Sequence, residues 1–269
     1  MSDGTESQDD RRAILAAALD AANPAAFVER VLRVARTGDE TTLTLTVGDR
    51  ERSYSGRRVV LLAVGKAAAG MAHGAIALLG DAVTGGLVVT TVGGPQPPAG
   101  LDLLVAGHPL PDERSVEAAR RTGALVDGLG ENDLLLILVS GGASALLADL
   151  PPSTSLDEYI ALTEGLLRSG ADIGEINTVR RAAGTLKGGR LALRAVPARV
   201  VSLLLSDVVG DDPAVIGSGL TVPSPTDAND AWAVLDQHGR APPPGIAAFL
   251  HAAATHPLYD RPCHGGAPH

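Results

Sequence analysis

Along most of the chain, short continuous apolar runs alternate with helix-spaced stretches, and each run stops at glycine, serine or proline. Residues 58–64, 86–92, 101–106, 134–139 and 200–205 are apolar segments of strand length. Runs of this kind predict strands buried on both faces, as in a parallel sheet. Residues 67–79, 113–129, 156–169, 175–187 and 228–237 carry helical spacing. Asn23-Pro24, Asp112 and either Thr226 or Asp227 supply helix starts. Nearer the N-terminus, 11–22 and 24–36 predict helices. Residues 41–47 alternate with period two and predict a hairpin with 51–54. The expectation is an α/β layered domain with a mostly parallel sheet. Residues 1–10 are expected to be disordered and 11–240 to form the domain. Residues 241–269 are expected to be a linker, a short helix and an irregular tail.

The unusual loops follow the strands. In an open parallel sheet the carboxyl ends of the strands form the ligand edge. The run 134–139 enters Ser140-Gly141-Gly142-Ala143-Ser144 and then a short helical stretch, 145–148. This reads either as an ordinary strand-to-helix turn or as an anion site built from free N–H groups. Lys66 follows Gly65 at a helix start, where its charge opposes the helix dipole. It therefore either leans into solvent or meets an anion. His108 follows Gly107 after the 101–106 run, either as a plain loop residue or as a ligand contact. Asn177 and Arg180 share a face of the 175–187 helix. Lys187-Gly188-Gly189-Arg190 makes a basic corner, a solvated face or a phosphate contact. Asp207, Asp211 and Asp212 are hard oxygen ligands suited to Mg²⁺, although the last two also suit a turn. Cation clamps, a metal holder and backbone donors are the parts that phosphoryl transfer uses. A nicotinamide enzyme would carry G-x-G-x-x-G after a strand, and the chain has none.

Composition narrows this picture. Of 269 residues, 45% are hydrophobic but only 2% aromatic, so alanine, valine and leucine must fill the core. The net charge of −9 argues against a nucleic-acid surface. Cys263 is the one cysteine, so no internal disulfide forms and a reducing compartment fits. The polar, acidic start is unlike a signal peptide. No apolar stretch reaches the roughly 20 residues that span a bilayer. A cytoplasmic protein with no membrane association is expected.

Five segments resemble the type II glycerate kinases, the glycerate 2-kinase family whose second domain carries the MOFRL motif. They are VGKAAAGMA (64–72), GHPLPDERS (107–115), LVSGGASALL (138–147), EINTVRRAAGTLKGGRLA (175–192) and LSDVVGDDPAVIGSGLTVPSPT (205–226). The resemblance implies a three-layer, Rossmann-like α/β fold, mostly parallel, with helices on both faces beside the small N-terminal β-hairpin. It implies ATP- and Mg²⁺-dependent phosphorylation of D-glycerate at its 2-hydroxyl. By motif match, Lys66, Arg180 and Asp207 are expected to be catalytic. Ser140, Gly141, Gly142, Ser144, His108, Asn177, Lys187, Gly188 and Gly189 are expected to bind substrate or phosphate. Asp207, Asp211 and Asp212 are expected to hold the metal. Ala143 stands where the family usually has a third glycine; if that position needs a positive φ, alanine would strain the loop. Leu220 and Ser224 replace a proline and an aspartate. The family's second domain is expected to be missing, which leaves a non-catalytic binding module as the alternative reading and self-association through an exposed face as a consequence. Family members also named hydroxypyruvate reductases keep a third reading open.

Overall fold

The computed structural model describes residues 3–255; the expected irregular tail, 256–269, lies outside the described residues. Five parallel strands make the central sheet: β4 (Arg58–Val64), β5 (Val83–Thr90), β6 (Asp102–Val105), β7 (Asp133–Ser140) and β8 (Arg199–Leu205). Their order is β6-β5-β4-β7-β8. Every residue of β7 is buried, as an apolar run between two parallel neighbours must be.

Alternate residues of β7 serve two cores. Leu135, Ile137 and Val139 pack with α4 (Glu113–Asp127), the one-turn α5 (Ala143–Leu146) and α8 (Arg190–Arg194). Leu134, Leu136 and Leu138 pack with α2 (Pro24–Val31) and α3 (Ala68–Leu79). Helices therefore cover both faces, as expected. α3 is rich in small residues because α2 lies directly on it: a Cβ at Gly74 would come within 2.8 Å of the Ala25 Cα.

Three expectations are corrected. The predicted helix over 24–36 stops at Val31, and Leu32–Thr37 becomes strand β1. It pairs with β2 (Glu40–Val47), which pairs with β3 (Arg50–Gly56), so the small N-terminal element is a three-stranded antiparallel sheet. Leu32 and Val34 alternate, which puts Leu32 opposite Leu45 and Val34 opposite Leu43 above the main sheet. Residues 3–10, expected to be disordered, belong to α1 (Asp3–Ala21). Their acidic residues favour a helix N-terminus, where the dipole is positive, and an alanine-rich stretch follows.

The third correction concerns the far end. α6 (Leu156–Arg168), α7 (Ile173–Ala183) and α9 (Ala228–Gln237) share a separate helical core with α10 (Pro244–Thr255). Ile246 and Leu250 of α10 are fully buried there, so the helix beyond residue 241 packs with the body. No helix among the described residues is long and apolar enough to cross a membrane.

Leu250→Ala should lower unfolding free energy by about 2–5 kcal/mol. Chemical denaturation measures this; an unchanged midpoint would detach α10 from the folded unit.

Candidate active site

The strand order reverses at β4. The chain runs outward from β4 through β5 to β6 and then returns to β7 on the other side of β4. Open α/β sheets bind ligands at such a switch point, outside the strand carboxyl ends. Here the two loops are 65–67 and 140–144, and their backbones are joined. The Lys66 N–H donates to the Gly141 carbonyl at 2.9 Å, and the Ala67 N–H donates to Ser140 Oγ at 3.0 Å. Gly65 adopts φ +131, and a Cβ there would overlap Ser140. Only glycine fits this crossing.

Four strand ends then converge on Gly141-Gly142. A Cβ on Gly141 would overlap the Asp207 carboxylate, which arrives from the end of β8. A Cβ on Gly142, at φ +90, would sit 3.0 Å from His108 Cδ2 and 3.4 Å from Lys66 Cε. His108 arrives from the end of β6. Its loop is closed by Asp112, which accepts the Gly107 N–H at 3.0 Å while capping α4. Lys66 and Asp207 are exposed, and neither forms a salt bridge among the described residues. Burial and the Lys66 charge push the His108 pKa below its ordinary value, with Asp207 opposing. The edge thus gathers a free ammonium, a largely neutral imidazole and a free carboxylate over a glycine floor.

Other expected site residues are placed elsewhere. Ser140 is buried, and its hydroxyl accepts the Ala67 N–H, so it ties the two loops together. Ser144 hydrogen-bonds Ser218 at 2.7 Å. Lys187 is fully buried, donating to the Leu147 carbonyl at 2.7 Å and to the Asp149 carboxylate. Burial pushes its pKa down to about 7. Gly188 and Gly189 spend their N–H groups on the Ser218 and Gly219 carbonyls, at 3.1 and 2.7 Å. The basic corner is therefore a packing junction, because a polar segment buried this deeply must pair its donors internally. Asn177 is buried on α7, and half-buried Arg180 reaches the Tyr159 hydroxyl at 3.3 Å. Among the described residues, no hydrogen bond joins either to Lys66. Helix α7 ends at Ala183, before Lys187, so the expected 175–187 helix is shorter.

The metal reading also narrows. Among the described residues no group of three or more His, Cys, Asp or Glu side chains could hold a metal ion. Asp212 accepts the Ala214 N–H at 2.9 Å, and Asp211 sits at φ +51 in the same turn. Both shape the loop. Asp207 alone faces the glycine floor, and Mg²⁺ commonly takes one or two carboxylates plus substrate phosphates. The donor set fits Mg²⁺ in that reduced form. Ala143 resolves as unstrained: Gly142 takes the positive φ, and Ala143 starts α5 with its methyl in the core.

Sequence reasoning passed over Asp149 and Arg181. Asp149 lies inside a mainly apolar stretch, a signal for a buried, paired carboxylate. Arg181 is buried, and its guanidinium donates to the Ala214 carbonyl and the Thr178 and Thr226 hydroxyls at 3.1–3.4 Å. It ties α7 to the 212–226 segment.

Comparison with known proteins decides the family. A family described as Domain of unknown function (DUF4147) matches residues 10–251. The chain belongs to the DUF4147 family. A Thermotoga maritima protein named D-glycerate 2-kinase is 48% identical over 184 residues, covering 68% of this chain and 44% of that protein. Human glycerate kinase is 37% identical over 270 residues, 94% of this chain and 50% of its own length. An Agrobacterium vitis protein with a hydroxypyruvate reductase name is 44% identical over 193 residues, 72% of this chain and 44% of its own. The crystal structure of the Thermotoga glycerate kinase matches with TM-score 0.69 at 46% identity, over 72% of this chain and 47% of that one. The Pyrococcus horikoshii PH0495 protein matches with TM-score 0.80 at 34% identity, over 92% and 55%. This DUF4147 chain spans about half the length of the curated relatives it matches.

The His108 environment gives a signed expectation. Its proton resonances should titrate below the ordinary histidine value; Lys66→Met should raise that pKa and Asp207→Asn should lower it further. Because the native state holds this proton less tightly than the unfolded chain, this group's contribution to stability falls as pH drops below about 6.5. NMR titration of the wild type and both variants measures it; an unmoved pKa in both would separate His108 from its two neighbours.

Proposed function

We propose that this chain supplies one wall of a D-glycerate 2-kinase site, where the γ-phosphoryl group of ATP passes to the 2-hydroxyl of D-glycerate. The convergence of Lys66, His108 and Asp207 on Gly141-Gly142 at the switch point carries this reading. The glycerate kinase names of relatives at 37–48% identity support it.

In the proposed reaction, Lys66 lies against the phosphoryl oxygens and offsets the charge that builds on them during transfer. Its free ammonium at the N-terminal end of α3 suits an anion more than a solvent-facing side chain, since helix dipole and lysine then act on the same ligand. His108, mostly unprotonated near neutral pH, offers a ring nitrogen that takes the proton as the substrate O–H bond breaks and the O–P bond forms. Asp207 is the residue of this chain that would hold Mg²⁺. That ion, when bound, neutralises phosphate charge and orients the triphosphate.

The reductase reading gains less support. The turn after β4 reads Gly65-Lys66-Ala67-Ala68-Ala69-Gly70, without the middle glycine of a dinucleotide fingerprint. A binding module without turnover draws on the half-length match, because positioning and water exclusion supply much of the rate in phosphoryl transfer.

ADP release from Mg-ATP should depend on D-glycerate, and Lys66→Ala should lower kcat by about 10²-fold or more with the fold intact. Unchanged kcat in that variant would remove Lys66 from the chemistry. Nucleotide and glycerate binding without turnover in folded wild type would favour the binding module, and NAD(P)H oxidation with hydroxypyruvate would favour the reductase.

A further inference from the structure

We propose that Lys187 and Asp149 form a buried clamp that positions the Gly141-Gly142 floor, Lys187 being a positioning residue and not a phosphate ligand. The functional part of this inference rests on the kinase reading of that floor.

The clamp is a ring of bonds around α5. Lys187 Nζ donates to the Leu147 carbonyl at 2.7 Å and to one Asp149 carboxylate oxygen. The other oxygen accepts the Leu186 and Lys187 N–H groups at 2.7 and 3.2 Å, and the Asp149 carbonyl accepts the Thr185 N–H at 3.3 Å. The segment just past α5 is thereby fastened to the segment just past α7. The ring closes on the opposite side. Gly188 donates its N–H to the Ser218 carbonyl, and the Ser218 hydroxyl meets the Ser144 hydroxyl inside α5.

A one-turn helix cannot hold itself in place. Helix α5 has three backbone bonds around its turn, Ala145 and Leu146 to the Gly142 carbonyl and Leu147 to the Ala143 carbonyl. It has no side-chain cap at Gly142. Isolated helices of this length are unstable in water, so α5 takes its position from what surrounds it. Gly142 is its first anchor and also the residue against which His108 and Lys66 rest. Displacing α5 therefore displaces the floor. Net stability is a weak reason for such a pair, because well-packed apolar residues often stabilise a fold as well or better. Fixed donors aimed at fixed acceptors add geometric definition, which an apolar pair lacks.

The test compares wild type, Lys187→Met and the double variant Lys187→Met/Asp149→Leu. The single variant leaves a buried carboxylate unpaired and loses stability. The double variant removes both charges, so it keeps the fold assessable by denaturation. In the folded double variant, amides of 143–147 should exchange about tenfold faster or more, while those of β7 keep their wild-type protection. kcat for glycerate-dependent ADP release should fall about tenfold or more, with KM for ATP within about threefold of wild type. Wild-type exchange over 143–147 in the folded double variant overturns the clamp. So does a KM for ATP raised about tenfold with kcat and exchange unchanged, the signature of a phosphate ligand. If wild type shows no glycerate-dependent turnover, the kinase reading fails, and amide exchange alone decides whether the clamp holds α5.

Discussion

The carboxyl ends of β4 and β7 approach so closely that Gly65 has no room for a side chain at the crossing, and the end of β8 closes on Gly141 from the other side. Gly65 would overlap Ser140 if it carried a Cβ, and Gly141 would overlap Asp207. Much else follows from that contact. With no Cβ between them, the Lys66 amide reaches the Gly141 carbonyl and the Ala67 amide reaches the Ser140 hydroxyl. The two loops become one surface of backbone. Side chains from β6 and β8 can then come in from either side and meet above it, which larger residues at 141 and 142 would prevent. The functional groups are therefore assembled by a deletion of bulk, and their spacing is inherited from the strand register of β4 against β7.

The sheet was legible because its signal is strong and local. Strands between parallel neighbours must be apolar on both faces, and β4 and β7 announce themselves as unbroken runs. β1 was less legible because Leu32–Thr37 has too few residues to separate a helical period from a strand period. Its identity comes from pairing with β2, a non-local event. The same distinction runs through the site. Lys66, His108, Gly141, Gly142 and Asp207 all sit within three residues of a strand's carboxyl end, so topology alone brings them to one edge. Lys187, Gly188 and Gly189 sit past a helix, where no such rule applies, and their burial depends on where the 216–224 segment packs. The aspartates at 211 and 212 were ambiguous for a different reason. A carboxylate beside glycine or proline serves a turn as readily as a metal, and Asp212 here accepts the Ala214 amide.

The two lysines beside glycine show why the same local sequence chemistry gives opposite outcomes. Lys66 follows Gly65 and stays exposed, with no ion pair among the described residues; Lys187 precedes Gly188 and is wholly buried against Asp149. Burying an ammonium without a partner costs several kcal/mol, so a lysine in the interior requires a carboxylate and further acceptors close by. Residues 147–149 supply both, which commits Lys187 to structure. Among the described residues no carboxylate pairs with Lys66, and its ammonium remains available at the edge. An available cation at a helix start is mildly unfavourable for the free protein and favourable once an anion arrives. That sign change separates a ligand-facing lysine from a structural one. It also links the two: the buried pair holds α5, α5 holds Gly142, and Gly142 sets the surface beside which the Lys66 chain lies. Under the proposed clamp, a change at the concealed lysine reaches the exposed one through the backbone of α5 and Gly142.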